Sequence, residues 1–338
     1  MGGYIHLYMA FVTRLKRKIR STMSHSRASA SVSSSGSGSA GVAFKKYHGL
    51  GNDFILIDNR SSTDPLVTAD AAVQLCDRHR GIGGDGVIFL LPPGSVEVPQ
   101  TGSGVDASMR IFNSDGTEPE MCGNGIRCLA KFMDGILAEP AAQEGEEERV
   151  YNVATLAGII RPRMKAGGDV EVDMGPPTLE PSQVPSTLTS NFQADGVAAA
   201  AVRAPVETSA GTMYVTCVSM GNPHCLIYVD SLDDVPFETL GPEMESNTSV
   251  FPAKTNVEFV EVVRRDYVKM KVWERGAGPT QACGTGACAT VVAGVLEGKV
   301  DEKCTVLLPG GELHIFWDRT KNTVFMTGPA ELVFEGQL

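Results

Sequence analysis

One arrangement occurs twice in this chain, and the repetition constrains the fold more than any other feature. In the first copy a strand-like run, Met109–Phe112, leads to Asn113, and nine residues later Cys122 opens the tetrapeptide Cys-Gly-Asn-Gly. In the second, Val268–Trp273 leads to Glu274, and nine residues later Cys283 opens Cys-Gly-Thr-Gly. An apolar run of helical character follows each tetrapeptide. Further upstream, Gly51–Asp58 (GNDFILID) has its counterpart in Gly221–Asp230 (GNPHCLIYVD), each with Gly-Asn before an apolar strand and a closing Asp. Correspondence at several points in the same order marks an internal duplication, which predicts two similar domains facing one another. Many strands with one strong helix per half make this an α+β pair of curled sheets. Gly175–Pro205, rich in Pro and then Ala, is expected to carry the crossing between halves together with an insertion.

The chemistry follows from where the cysteines fall. Gly284 and Gly286 leave backbone N–H groups bare at a helix start, which is an anion site. A thiol there has its thiolate favoured, with pKa values of about 3.5–7.5 at such positions, so Cys283 is predicted to act as a base near neutral pH. A cysteine is equally a small buried hydrophobe, and the pairing of Cys122 with Cys283 is what favours chemistry. Two thiols, one per pseudo-symmetric half, suggest a single site in the cleft between domains. A pair facing each other across one carbon suits a two-base inversion, with the helix starts holding a substrate carboxylate whose charge grows in the transition state.

Charge narrows the partners. Residues 1–43 hold six of the 29 Lys and Arg and none of the 40 Asp and Glu, so the remaining body is strongly acidic. Such a body repels nucleic acid and anionic membrane. The basic, Ser-rich, acid-free leader has the composition of an organellar transit peptide, or else of a tag or a misassigned start. Its apolar patch, Ile5–Val12, is too short to span a bilayer. Eight cysteines include no Cys-x-x-Cys pair, which argues against zinc, and reduced thiols are expected. GIGGDG before Val87 leads into a strand, not a helix, and so fails as a dinucleotide fingerprint.

At these residues the chain resembles the diaminopimelate epimerase family, from about Phe44 to Phe334. The motifs HGLGNDF, FNSDG, MCGNGIRC, SMGNPHC, TNVEF and ERGAGPTQACGTGAC occur in order. The resemblance implies two pseudo-symmetric domains, each a curled mixed β-sheet wrapped around a central helix. Residues 1–43 would be a leader, 44–173 the first domain with strand 328–338 returning to it, and 174–327 the second. It implies cofactor-independent, metal-free epimerisation of LL-2,6-diaminopimelate to the meso form in lysine biosynthesis, by a homodimer. The leader and this family together point to the chloroplast stroma, with mitochondrial or cytoplasmic alternatives. Cys122 and Cys283 would be the catalytic acid and base, His224 assisting Cys122 and Glu274 assisting Cys283. Backbone N–H groups of Gly123, Asn124, Gly284 and Thr285 would hold the α-carboxylate. Asn52, Asn113, Asn222, Asn256 and Arg275 would hold the remaining amino and carboxylate groups. Asn113 and Asn222 also suit turns, His224 can equally cap its strand, and Glu274 and Arg275 can be solvated loop charges. Gly86 stands where many bacterial members carry glutamine, and Thr285 where some carry serine. The residues at 184–203 fall outside the resemblance. Two readings compete: proline racemase or hydroxyproline epimerase, which typically has His in place of Asn124, and a redox switch in which Cys122 and Cys283 form a regulatory disulfide.

Overall fold

The structure, a computed structural model, describes residues 41–98, 104–137, 148–193 and 199–338. Residues 1–40, 99–103, 138–147 and 194–198, which take in most of the leader and part of the 184–203 segment, lie outside the described residues.

Both halves obey one pairing rule. Ala43–Gly49 pairs antiparallel with Asn52–Asp58, which pairs parallel with Gly86–Leu91. That strand pairs antiparallel with Ala107–Asn113, which pairs parallel with Val153–Thr155, which pairs antiparallel with Gly158–Ile160. The second half repeats the alternation from Gly211–Ser219 through Pro223–Val229, Asn256–Arg264, Tyr267–Glu274 and Lys303–Leu308 to Gly311–Asp318. Parallel neighbours need a long crossover, usually helical. Helices α1 (Ala69–Cys76) and α2 (Gly123–Leu137) supply the two crossovers of the first half, α3 (Phe237–Glu245) and α4 (Gly284–Leu296) those of the second.

Burial explains the residue pattern. Ile126, Leu129 and Met133 of α2 share a core with Phe54, Leu56, Ile88 and Leu90. The alternate residues of the same strands, Ile55, Ile57, Val87 and Phe89, pack with Ala72 and Cys76 of α1 on the opposite face. With both faces covered, these strands read as unbroken apolar runs. Helix α4 is apolar all round, as an enclosed helix is. Its Ala287, Val291 and Val292 pack with Val218, Leu226, Val260, Val306 and Ile315. Helix α3 covers the other face through Leu240 and Met244. The sequence predicts a helix-poor loop there, because Gly241 and Pro242 are breaker signals. Tertiary packing overrides them: a Cβ at Gly241 would lie 2.7 Å from the Trp273 ring, so the glycine is a packing requirement.

The halves are joined at their edges. Glu331–Gln337 leaves the second half to pair with Ala43–Gly49, filling the edge that Ala204–Thr208 fills beside Gly211–Ser219. Val170–Asp173, grouped with the first domain by a boundary at residue 173, hydrogen-bonds to Thr323–Gly328 and extends the second sheet. Its Val170 and Val172 nonetheless pack in the core around α2. A short alternating strand shows which residues are buried but not which edge it joins. Leu50 (φ 58) and Gly51 (φ 84) form the turn between the first two strands, and positive φ at both positions suits a two-residue hairpin. Leu50 is buried in the core of the second half, which seats Asn52 at the junction.

Candidate active site

The two cysteines occupy equivalent places. Cys283 caps α4, and its sulfur accepts the Gly286 N–H at 3.4 Å. Cys122 immediately precedes α2, and its sulfur accepts the Gly125 N–H at 3.4 Å. The second glycine of each tetrapeptide permits that approach. A Cβ at Gly125 would lie 3.2 Å from the Cys122 Cβ, and one at Gly286 would lie 3.2 Å from the Cys283 sulfur. The first glycine of each serves the junction between halves: a Cβ at Gly123 would lie 3.2 Å from Met326 Cε, and one at Gly284 2.9 Å from Met326 Sδ. Both helix starts therefore abut the same methionine. Asn124 crosses the junction, donating at 3.4 Å to the carbonyl of Ala282, the residue before Cys283.

Both thiols are held above the ordinary thiol range, contrary to the helix-dipole expectation. Burial raises Cys122, opposed by the N–H groups of Gly125 and Asn124 and by the charge of Arg127, while Glu274 adds to the rise. Burial raises Cys283 well above its usual value, and the Glu274 and Glu258 carboxylates push the same way against the Thr285 hydroxyl and the Gly286 N–H. Desolvating a thiolate outweighs the partial charge of a helix end. Glu274 is itself raised by burial, with the Thr280 hydroxyl donating to it at 2.5 Å.

His224 has no solvent exposure and pairs with Glu258, Nδ1 to Oε1 at 2.6 Å, while Nε2 lies 3.0 Å from Asn222 Oδ1. The donor atoms of His224, Glu258 and Cys283 lie within 4.8 Å of one another. His224, assigned to Cys122 from the sequence, thus stands in a cluster with Cys283. Within the trio His224 Nδ1 and Glu258 Oε1 are hydrogen-bonded to each other at 2.6 Å, closer than the about 3.3 Å that separates two ligands of one tetrahedral zinc.

The remaining predicted residues divide by what they touch. Asn52 donates to Asp85 at 2.6 Å and accepts from Asn124 at 2.9 Å. Asn256 bonds to backbone, donating to the Pro223 carbonyl and accepting the Arg275 N–H. The Arg275 guanidinium donates to the Ala253 carbonyl at 3.0 Å, and the Thr285 hydroxyl lies 3.5 Å from the Cys283 sulfur. Asn113 bonds within its own turn, to Thr117. At Gly86 a Cβ would lie 2.7 Å from the Phe112 carbonyl oxygen, so a glutamine there requires a backbone shift. Two participants are absent from the sequence-derived set. Asp85 accepts from both Asn52 and Arg78. Glu258 was visible in the alternation NVEFVEVV: Val257 and Phe259 face the α3 side and Val260 the α4 side, which sets a carboxylate where a hydrophobe is expected.

Solved structures share this fold. A phenazine biosynthesis protein of the PhzF family from Bacillus anthracis superposes with a TM-score of 0.58 at 15% identity, over 88% of this chain and 98% of that one. A hydroxyproline epimerase from Agrobacterium vitis gives 0.56 at 16% identity, over 88% and 90%. The class is therefore the two-domain mixed-sheet α+β fold these proteins share. The model for the family described as Diaminopimelate epimerase matches residues 44–180 and 216–333. Diaminopimelate epimerases of Microcystis aeruginosa and Synechocystis sp. are 56% and 54% identical, over 87% and 88% of this chain and 98% of each relative. The chain belongs to the diaminopimelate epimerase family.

Proposed function

We propose that this chain inverts one α-carbon of diaminopimelate, LL to meso, by passing a proton between Cys122 and Cys283. Family membership supports the reaction. The observation that carries the mechanism is the meeting of two cysteine-headed helix starts against Met326. One cysteine, as thiolate, takes the α-proton, and the C–H electron pair moves onto the α-carboxylate. The other, as thiol, returns a proton to the opposite face and becomes the thiolate. Proton exchange with solvent resets the pair, and no cofactor is consumed. N–H groups of Gly123, Asn124, Gly284 and Thr285 stabilise the carboxylate as its charge grows. Asn52, Asn113, Asn222 and Arg275 bind the polar ends of the substrate, Asn256 fixes the Arg275 backbone, and His224 and Glu274 set the charge around the thiols. Solvent deuterium entering the α-position of LL-diaminopimelate, with none entering L-proline, is the expected result. Exchange on proline alone overturns the assignment.

The product enters lysine biosynthesis. The enzyme acts as a homodimer, a reading supported by the edge strand Glu331–Gln337, which leaves Leu332, Val333 and Phe334 exposed for a second copy to cover. Sedimentation at micromolar concentration tests this, and a monomer refutes it. The acid-free basic leader supports import into the plastid stroma. A fluorescent protein fused to residues 1–43 is expected in plastids, and mitochondrial or cytosolic fluorescence refutes the address.

A further inference from the structure

Arg127, one turn into α2, is wholly buried and is the largest such side chain among the described residues. A buried arginine ordinarily meets a carboxylate, because an unpaired charge away from water is costly. Among the described residues none forms a salt bridge with this one. Its bonds go to neutral acceptors and are long: Nε to the Pro329 carbonyl at 3.3 Å, and Nη1 to the Gly123 carbonyl at 3.4 Å and Met326 Sδ at 3.6 Å. Nη2 has no hydrogen-bond partner. A Cβ at Gly49 would lie 2.9 Å from it, so the glycine keeps that space for the guanidinium.

The location gives this charge a use. Helical side chains lean back toward the N-terminus, which carries Arg127 beneath the turn that Cys122 opens. Its sulfur contact, Met326, is the residue that Gly123 and Gly284 both abut. The cation therefore lies under both helix starts, and its effect reaches Cys122 and Cys128 from one helix and Cys288 from the other. Asp169 is the carboxylate that feels it, and Glu274 is the one that opposes it at Cys122.

Resting on the two-thiol reading above, we propose that Arg127 is a positioning residue of the reaction. Its uncompensated charge is the counter-ion for the Cys122 thiolate, supplied from beneath the helix start. A purely mechanical tie between Gly123 and Pro329 needs hydrogen-bond donors but no charge, and the two roles separate by experiment.

The pH dependence of Cys122 alkylation by iodoacetamide, followed by peptide mass mapping, needs no turnover. In R127Q, which keeps a donor for the carbonyls, the Cys122 curve is expected to move about one unit to higher pH, the lower end of the effect of a nearby opposite charge. The acid limb of the kcat/KM profile moves with it, and kcat falls more than KM rises. R127K, which keeps the charge with a shorter reach, is expected to lie between R127Q and wild type. Should R127Q fail to fold, R127M and R127K are compared by the same criterion. Superimposable Cys122 curves for wild type and a folded neutral variant refute the proposal, as does R127K behaving like R127Q. Deuterium exchange into diaminopimelate by the wild-type enzyme tests the underlying function separately.

Discussion

Replacing Gly286 by alanine tests whether the second glycine of the tetrapeptide is there for chemistry. In a helix interior the change is worth about 1 kcal/mol in favour of alanine. Here the added Cβ would lie 2.7 Å from Glu258 Oε1 and 3.2 Å from the Cys283 sulfur. Displacing Glu258 breaks its 2.6 Å bond to His224, both side chains being fully buried. Breaking a buried pair costs about 3–5 kcal/mol, whereas shifting the helix start costs about 1–3 kcal/mol by analogy with overpacked cores. The cheaper route wins, leaving a net loss of about 0–2 kcal/mol after the propensity gain. That route moves the Cys283 sulfur, and misplacement by about 1 Å costs roughly 100-fold in rate. Gly135 is the control, exposed in α2 with nothing within 4 Å of its added Cβ. Alanine there is expected to stabilise by about 0.5–1 kcal/mol. The assay is α-proton exchange in deuterium oxide beside thermal unfolding. A Gly286→Ala enzyme as stable and as fast as wild type refutes the steric reasoning.

Cys122→Ala or Cys283→Ala is expected to abolish epimerisation, while Cys76→Ala and Cys304→Ala leave the rate near wild type, because Cys76 packs on the opposite face of the first sheet from α2 and the Cys304 thiol donates to the carbonyl of its strand neighbour Thr305; a fast Cys283→Ala enzyme counts against the two-base scheme. Burial alone would raise the Asp53 carboxyl, but bonds from Arg78 and Lys46 outweigh it and the net shift is downward. The folded value thus lies below the unfolded one of about 3.9. The stabilisation is present at neutral pH and is lost as pH falls below about 4. Asp53→Asn should lower stability at pH 7 yet differ little from wild type in the most acid melts, and an equal difference at both pH values contradicts this. Oxidant should inactivate the enzyme and reductant restore it; retention of full activity with a demonstrated Cys122–Cys283 bond eliminates the catalytic roles.

The duplication was legible because it is written in types few other positions tolerate. Glycines at 123, 125, 284 and 286 are required by close approach, so their spacing survives in the chain as a pattern. The alternating pairing rule of the two sheets was less visible, since doubly covered strands such as Val87–Leu91 lose the period that marks a face. Partner choice was not legible: nothing in Val170–Asp173 announces that its hydrogen bonds go to Thr323–Gly328. Sign errors arose where two physical effects compete. The helix end favours a thiolate at Cys283, and burial beside Glu258 and Glu274 reverses that, but burial is a tertiary property. Arg127 is hidden in the sequence for the same reason, because an arginine in an amphipathic helix reads as a surface residue until its neighbours are known.

Duplication supplies two thiols, and divergence between the halves makes them unequal. Cys122 has Arg127 beneath it and Glu274 across the junction, one charge of each sign. Cys283 has two carboxylates, Glu274 and Glu258, with His224 paired to the second. Burial penalises both thiolates, so the charges decide which forms more readily. They favour ionisation at Cys122 over Cys283, so on the two-thiol reading proposed above Cys122 is the readier base. A reversible epimerase needs the opposite state as well, after the proton has crossed. Its cost is greater by the difference between the two charge sets. Neutralising Glu258 as glutamine narrows that difference, so Glu258→Gln should alter the forward and reverse kcat values unequally, while the equilibrium between LL and meso substrate stays fixed. Equal changes in both directions would mean that the carboxylate holds the histidine in place and contributes nothing through its charge.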